Sequence, residues 1–141
     1  MIKLSDKHNQ RLVEEAFARL PNEACGLLLG VKGQGFVNIT DIVFSNNVSE
    51  GDCTRSFEID PALYIKLQKR SRSGGADIIG VWYSHPYGMP EPSRVDKARS
   101  LEKDWVWLIS AVCETTITTK GYLSGSDTPS VFKEIEISVE G

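Results

Sequence analysis

The sequence predicts an α+β fold, a mixed β-sheet with helices packed against it. Three observations lead there. Segments of helical periodicity and segments rich in β-branched and aromatic residues are interspersed without strict βαβ alternation, which argues against a purely parallel sheet. The 141 residues suffice for one domain, 1–141, built on one hydrophobic core. With 40% apolar and 25% charged residues, the composition is that of a globular rather than a disordered chain.

Residues 6–20 read as a helix. Ser5 caps it, and Leu12, Val13, Ala16, Phe17 and Leu20 recur on one face until Pro21 ends it. "EACGLLLGV" is too short for a buried helix and reads as a strand. "GQGFVNITDIVF" follows with a turn at Gly33 and Gly35, so the two form a hairpin. Residues 45–56, "SNNVSEGDCTRS", are polar and turn-forming, and read as a surface loop. "FEIDP" predicts a short strand, then a helix capped by Asp60 with Pro61 in its first turn, running to about Arg72. "ADIIGVWYSH" is a strand that Pro86 stops, and a helix of about ten residues is expected from Ser93. "WVWLISAV", "TITTKGYL" and "FKEIEISV" complete the list as three strands. There is no internal repeat and no flexible linker.

The net charge of −3 argues against a nucleic-acid partner, and the basic run "KLQKRSR" reads as the solvated face of a helix. No apolar run is long enough to span a bilayer, and the polar start "MIKLSDKHNQ" has no signal-peptide core. A cytoplasmic protein without a membrane partner is therefore expected. Cys25, Cys53 and Cys113 are odd in number and widely spaced, the pattern of buried thiols in a reducing compartment.

The chemistry concentrates in "GVWYSHPYGMPEPSRVD". Alternation along a strand puts Ile79, Val81, Tyr83 and His85 on one face and Ile78, Trp82 and Ser84 on the other. Tyr83 and His85 thus project side by side from the strand's end. Ser93 and Asp96 have the spacing of a capping box, and a cap is the simpler reading of that fragment alone. Together with His85, however, Asp96 completes a nitrogen and oxygen pair of the kind zinc accepts. His8 reads as an exposed first-turn residue, Trp82 as core, and Trp105 and Trp107 as core and rim of one strand face. Met89 and the prolines of "YGMPEP" read as a mobile lip.

These elements resemble the signature of the JAMM (MPN-domain) zinc metalloproteases, in their compact prokaryotic form. The family pattern is an upstream glutamate, then His-x-His, seven residues, Ser, two residues, Asp. Here His85, Ser93 and Asp96 keep that spacing, and "PNEACGLLLG" resembles the family's Pro-x-Glu-x-Cys-Gly-x-x-x-Gly, placing Glu23 at the catalytic glutamate. The resemblance spans roughly residues 10 to 125 and implies a curved, cytidine-deaminase-like mixed sheet. It implies zinc (Zn2+) as cofactor, held by His85 and Asp96, with a bound water whose pKa falls to about 7. Glu23 would move the proton from that water to the leaving amine, and Ser93 would hydrogen-bond the oxyanion. The bond cut would be an amide or isopeptide, and the substrate the Gly-Gly tail of a ubiquitin-like or sulfur-carrier protein. That tail could add a strand to a sheet edge near the 45–56 loop.

Tyr83 departs from the pattern, standing where the family has its first metal-binding histidine. Three outcomes follow: a phenolate ligand, whose binding would depend on pH because phenol titrates near about 10; a water in the missing position and a weaker site; or no metal, with the Tyr83 hydroxyl on Asp96. The rival function is accordingly a metal-free MPN pseudoenzyme acting as a binding or dimerisation module, so a homodimer is among the arrangements expected. A cysteine hydrolase built on Cys25 and His85 is a third reading, disfavoured because Cys25 lies in an apolar strand.

Overall fold

The computed structural model describes residues 1–93, 97 and 102–141. Its elements are β1 (Ile2–Ser5), α1 (Asp6–Ala18), β2 (Cys25–Gly33), β3 (Phe36–Ser45), α2 (Pro61–Arg72), β4 (Asp77–His85), β5 (Val106–Cys113), β6 (Thr116–Ser124), β7 (Phe132–Ile135) and β8 (Ile137–Glu140). The strands form one eight-stranded sheet in the order β7-β6-β5-β4-β2-β3-β1-β8. β1 pairs in parallel with β3 and β8, and β4 with β5, while the other pairings are antiparallel. The sheet is mixed, as expected.

It is also curved, and the strand order shows why. The two outermost strands, β7 and β8, are consecutive in the chain with Glu136 alone between them. The sheet must curl until its edges approach. At that seam the Ile2 amide donates to the Glu136 carbonyl at 2.8 Å. Gly121 on β6 sits against β1 and β8 across the curl: a Cβ there would meet Ile2 and Ile137 side chains at 2.5 and 3.1 Å.

α1 fills the inside of the curl. Ser5 caps it as predicted, its Oγ accepting from the His8 amide at 3.0 Å. Leu12 and Ala16 pack with Ile2, Leu28, Trp82 and Leu108. α2 lies on the other face, where Leu67 meets Leu27 and Leu29. Leu27 and Leu28 are adjacent on β2 and point to opposite faces, so the two helices sandwich that strand. Asp60 caps α2 by accepting from the Ala62 amide at 3.0 Å, with Pro61 in the first turn. Trp82 is core: its Nε1–H donates to Ser110 Oγ at 2.9 Å and its ring meets Phe44 edge-on at 5.5 Å.

Several expectations are corrected. β1 was not foreseen: four residues with a lysine inside carry little pattern, although Ile2 and Leu4 alternate inward and are both buried. "FEIDP" makes only a single bridge, Asn47 to Ile59, because the Asp60 amide is taken by Ser45 Oγ at 2.9 Å and Pro61 starts a helix. "FKEIEISV" is two strands on opposite edges rather than one. The face assignment in β4 fails at Ile78, which packs with Leu27, Leu29 and Leu67 rather than with Trp82, and at Ile79. A bulge between the pairs Leu28–Gly80 and Leu29–Ile78 inserts Ile79, which packs with Trp82, not with Val81 and Tyr83. Of the helix expected from Ser93, residues 94–96 and 98–101, Asp96 among them, lie outside the described residues. The Lys97 amide bonds the Ser93 carbonyl at 3.0 Å, as one helical turn requires. No helix among the described residues is long and apolar enough to cross a membrane.

Gly80 tests the β4–β5 approach. A Cβ there would lie 2.0 Å from the Val106 carbonyl oxygen, which is backbone and cannot swing aside. Gly80→Ala should destabilise the protein by about 3 kcal/mol, seen as a lower thermal midpoint. An unchanged midpoint would contradict this packing.

Candidate active site

The site begins with a ladder. β2 and β4 run antiparallel with Cys25 opposite Tyr83. Beyond that pair the Ser84 amide donates to the Ala24 carbonyl at 3.0 Å, and the Ala24 amide donates to Ser84 Oγ at 2.8 Å. Ser84 is fully buried, so its hydroxyl replaces a backbone acceptor where the ladder is ending. One step further, Glu23 comes level with His85. Both side chains leave the sheet on the face that carries Cys25 and Tyr83.

Glu23, His85 and Ser93 line one cleft of about 570 Å³. Thr54 and Arg55 of the loop after β3, and residues 86–89, 91 and 92 after β4, complete its lining. Glu23 is 4% exposed. Its amide donates to the Cys53 carbonyl at 2.7 Å, and its carbonyl accepts from Asn47 Nδ2 at 3.1 Å. Asn47 Nδ2 also donates to the Ser56 carbonyl at 2.9 Å, and its Oδ1 accepts the Ser49 and Glu58 amides, each at 3.1 Å. One amide side chain therefore ties the 46–58 loop to the backbone of Glu23. The sequence reading passed over Asn47 because turn-rich segments are full of asparagines.

His85 is half-buried, and its Nδ1 lies 2.7 Å from the Met89 carbonyl oxygen. A carbonyl only accepts, so Nδ1 carries a hydrogen, and in the neutral ring the acceptor nitrogen is then Nε2. That is the tautomer of a histidine held to ligate through Nε2. The lip is also held at the next residue, where Tyr122 donates its hydroxyl to the Pro90 carbonyl at 2.9 Å. Two carbonyls of "YGMPEP" are thus anchored, while the Tyr87 and Met89 side chains stay exposed at the rim.

Tyr83 is 0% exposed and belongs to an aromatic cluster. Phe57 stacks on it at 4.4 Å with 19° between planes; His85 meets it edge-on at 5.0 Å, and Trp107 at 6.2 Å. Phe57, the first residue of the missing "FEIDP" strand, thus serves as a lid on Tyr83. The donor set fits zinc in part only. His85 has the right tautomer, but the ring at position 83 brings no nitrogen and is locked in a stack. Among the described residues no group of three His, Cys, Asp or Glu could hold a metal ion. Asp96, the other expected ligand, lies outside the described residues.

The cysteine reading does not survive. Burial first, and the negative charge of Glu23 second, push the Cys25 thiol up to about 12. A nucleophilic thiolate needs the opposite. Cys53 is half-buried and Cys113 exposed, so only Cys25 is the buried thiol expected of all three. His8 is less exposed than expected, with its Nε2 at 4.0 Å from Asp41.

The family of prokaryotic homologs of the JAB domain matches residues 5–120, most of the chain. A desampylase from Haloferax volcanii is 29% identical over 121 residues, 85% of this chain and 80% of that protein. The solution structure of a Desulfitobacterium hafniense protein aligns with a TM-score of 0.84 at 28% identity, covering 99% of this chain and 93% of that one. A crystal structure of a JAB1/MPN domain protein from Archaeoglobus fulgidus shares the fold, with a TM-score of 0.60 at 17% identity over 100% of this chain and 98% of that one. The curled sheet and the cleft at the end of β4 thus belong to a JAB/MPN fold. The chain is a member of the prokaryotic JAB-domain family.

Thiol reactivity follows from the three environments. Iodoacetamide at pH 8 should label Cys113 first, Cys53 more slowly, and Cys25 only on unfolding, by mass spectrometry. Early labelling of Cys25 would contradict its burial and raised pKa.

Proposed function

We propose that this chain is a JAMM-type metalloprotease by lineage. It would act as an isopeptidase beside the C-terminal Gly-Gly of a ubiquitin-like or sulfur-carrier protein, with a metal site weakened by Tyr83. The observation that carries this reading is the cleft shared by Glu23, His85 and Ser93, residues from three separate segments. Membership of the JAB family supports the hydrolase lineage, and the relative named desampylase supports a protein modifier as substrate.

The residues divide the work as follows. Glu23, at the buried end of the cleft, accepts a proton from the attacking water and delivers it to the leaving amine. The Ser93 hydroxyl donates to the carbonyl oxygen as charge builds there. The 46–58 loop and the braced lip hold the scissile bond between them, which fixes its orientation. His85, through Nε2, and Asp96 would hold zinc; bound there, zinc supplies a Lewis acid and a water acidic enough to act at neutral pH. Tyr83 leaves that set one nitrogen short. Changes outside the ligand set already cost about 10–100-fold in affinity or activity, so this loss should cost at least as much.

The test is to measure zinc content and cleavage of a Gly-Gly isopeptide by this chain beside Tyr83→His. The variant should bind one equivalent of zinc and cleave at least about 100-fold faster. A variant that gains neither property rules out the site. A parent chain that matches the variant in both rules out the part given to Tyr83.

A further inference from the structure

Arg55 is an exposed guanidinium on the wall of the cleft, and the loop that carries it is built in advance. Asp52 organises the turn: its Oδ1 accepts from the Thr54 amide at 2.9 Å and from Thr54 Oγ1 at 2.6 Å. Its carbonyl accepts from the Arg55 and Ser56 amides at 3.0 and 2.9 Å. Ser49 Oγ and Ser56 Oγ close the loop at 2.8 Å. Asn47 then fastens it to the Glu23 carbonyl at 3.1 Å.

The same bonds explain why Arg55 is not neutralised from within. Asp52 and Glu58 are the nearest acids along the chain, three residues to either side; the Thr54 hydrogen bonds hold the Asp52 carboxyl below the usual range and the Arg55 charge adds a smaller pull, without a contact pair forming. Among the described residues no carboxylate pairs with the Arg55 guanidinium. Glu91 lines the same cleft from the segment after β4, and Glu23, which also lines it, is buried. A guanidinium offers a planar fork of donors that matches a carboxylate in two bonds, and a rigid loop lowers the entropy lost on forming them.

We propose that Arg55 makes the loop wall of the cleft a carboxylate-binding subsite, selecting tails with an Asp or Glu just before the Gly-Gly end. This rests on the Gly-Gly reading of the cleft and adds a charge preference that the lineage alone does not supply. Binding should weaken as salt is raised, since the subsite is exposed.

The experiment measures binding rather than turnover, so it is independent of zinc and of Tyr83. Fluorescein-labelled peptides of one sequence ending in Gly-Gly, with Glu, Gln or Lys at the third or fourth residue from the carboxy terminus, are titrated with the protein by anisotropy. The Glu peptide should bind about tenfold more tightly than the Gln peptide. Arg55→Gln should erase that preference, Arg55→Glu should turn it toward Lys, and Lys69→Gln, on α2 and outside the cleft, should leave it in place. Equal binding of Glu and Gln peptides, or a Glu preference that persists in Arg55→Gln, overturns the subsite and leaves the Gly-Gly reading standing. No binding of any peptide overturns both.

Discussion

The antiparallel pairing of β2 with β4 is the constraint on which the site depends. It sets Cys25 against Tyr83, and the two Ser84–Ala24 hydrogen bonds carry the ladder past the end of the regular strands. Because alternation has a period of two residues, a one-residue slip would send Glu23 to the α1 side while His85 stayed on the other. The buried Ser84 hydroxyl opposes that slip, since the Ala24 amide would lose its acceptor in a place water does not reach. An unpaired buried amide costs about 1–3 kcal/mol, comparable to a sizeable fraction of a domain's net stability. The bulge at Ile79 belongs to the same design: it shifts the parity of β4 so that Ile79 enters the α1 core while Val81 and Tyr83 face the cleft side.

Tyr83 is best understood by what surrounds it. Its ring is stacked on Phe57 and met edge-on by Trp107, so a histidine there would give up part of a packed aromatic cluster. Aromatic pairs contribute about 0.5–1.5 kcal/mol beyond the area they bury. Under the proposed function, the tyrosine gives up a metal ligand and keeps that packing. His85 keeps its side of the arrangement, since the Met89 carbonyl fixes its tautomer independently of position 83. The cleft keeps Glu23, His85 and Ser93 together, the three groups on which the proposed function rests.

Much of this was legible in the sequence because local chemistry decided it. Ser5 and Asp60 announced both described helix starts, and Pro21 and Pro86 marked where elements stop. Glu23, His85 and Ser93 could be named together only through the resemblance to the family pattern; spacing alone favoured a helix cap at Ser93. What could not be read depended on distant pairing. β1 exists because β3 and β8 flank it, not because four residues prefer to be extended. "FKEIEISV" divides at Glu136 because the sheet curls, and nothing within those eight letters reports the curl. The bulge at Ile79, the clamp at Asn47 and the bracing of the lip by Tyr122 each join residues far apart in the chain.

The proposed function requires that His85 present Nε2 as a ligand, with Nδ1–H committed to the Met89 carbonyl, and that the cleft bind zinc weakly. Nitrogen-15 NMR of the imidazoles during a zinc titration tests it directly, because His8 is the only other histidine and serves as an internal control. The account predicts an Nδ1–H tautomer for His85 before metal is added, and a saturable shift confined to its Nε2 as zinc is raised. An Nε2–H tautomer, or a zinc response at His8 with none at His85, would contradict it.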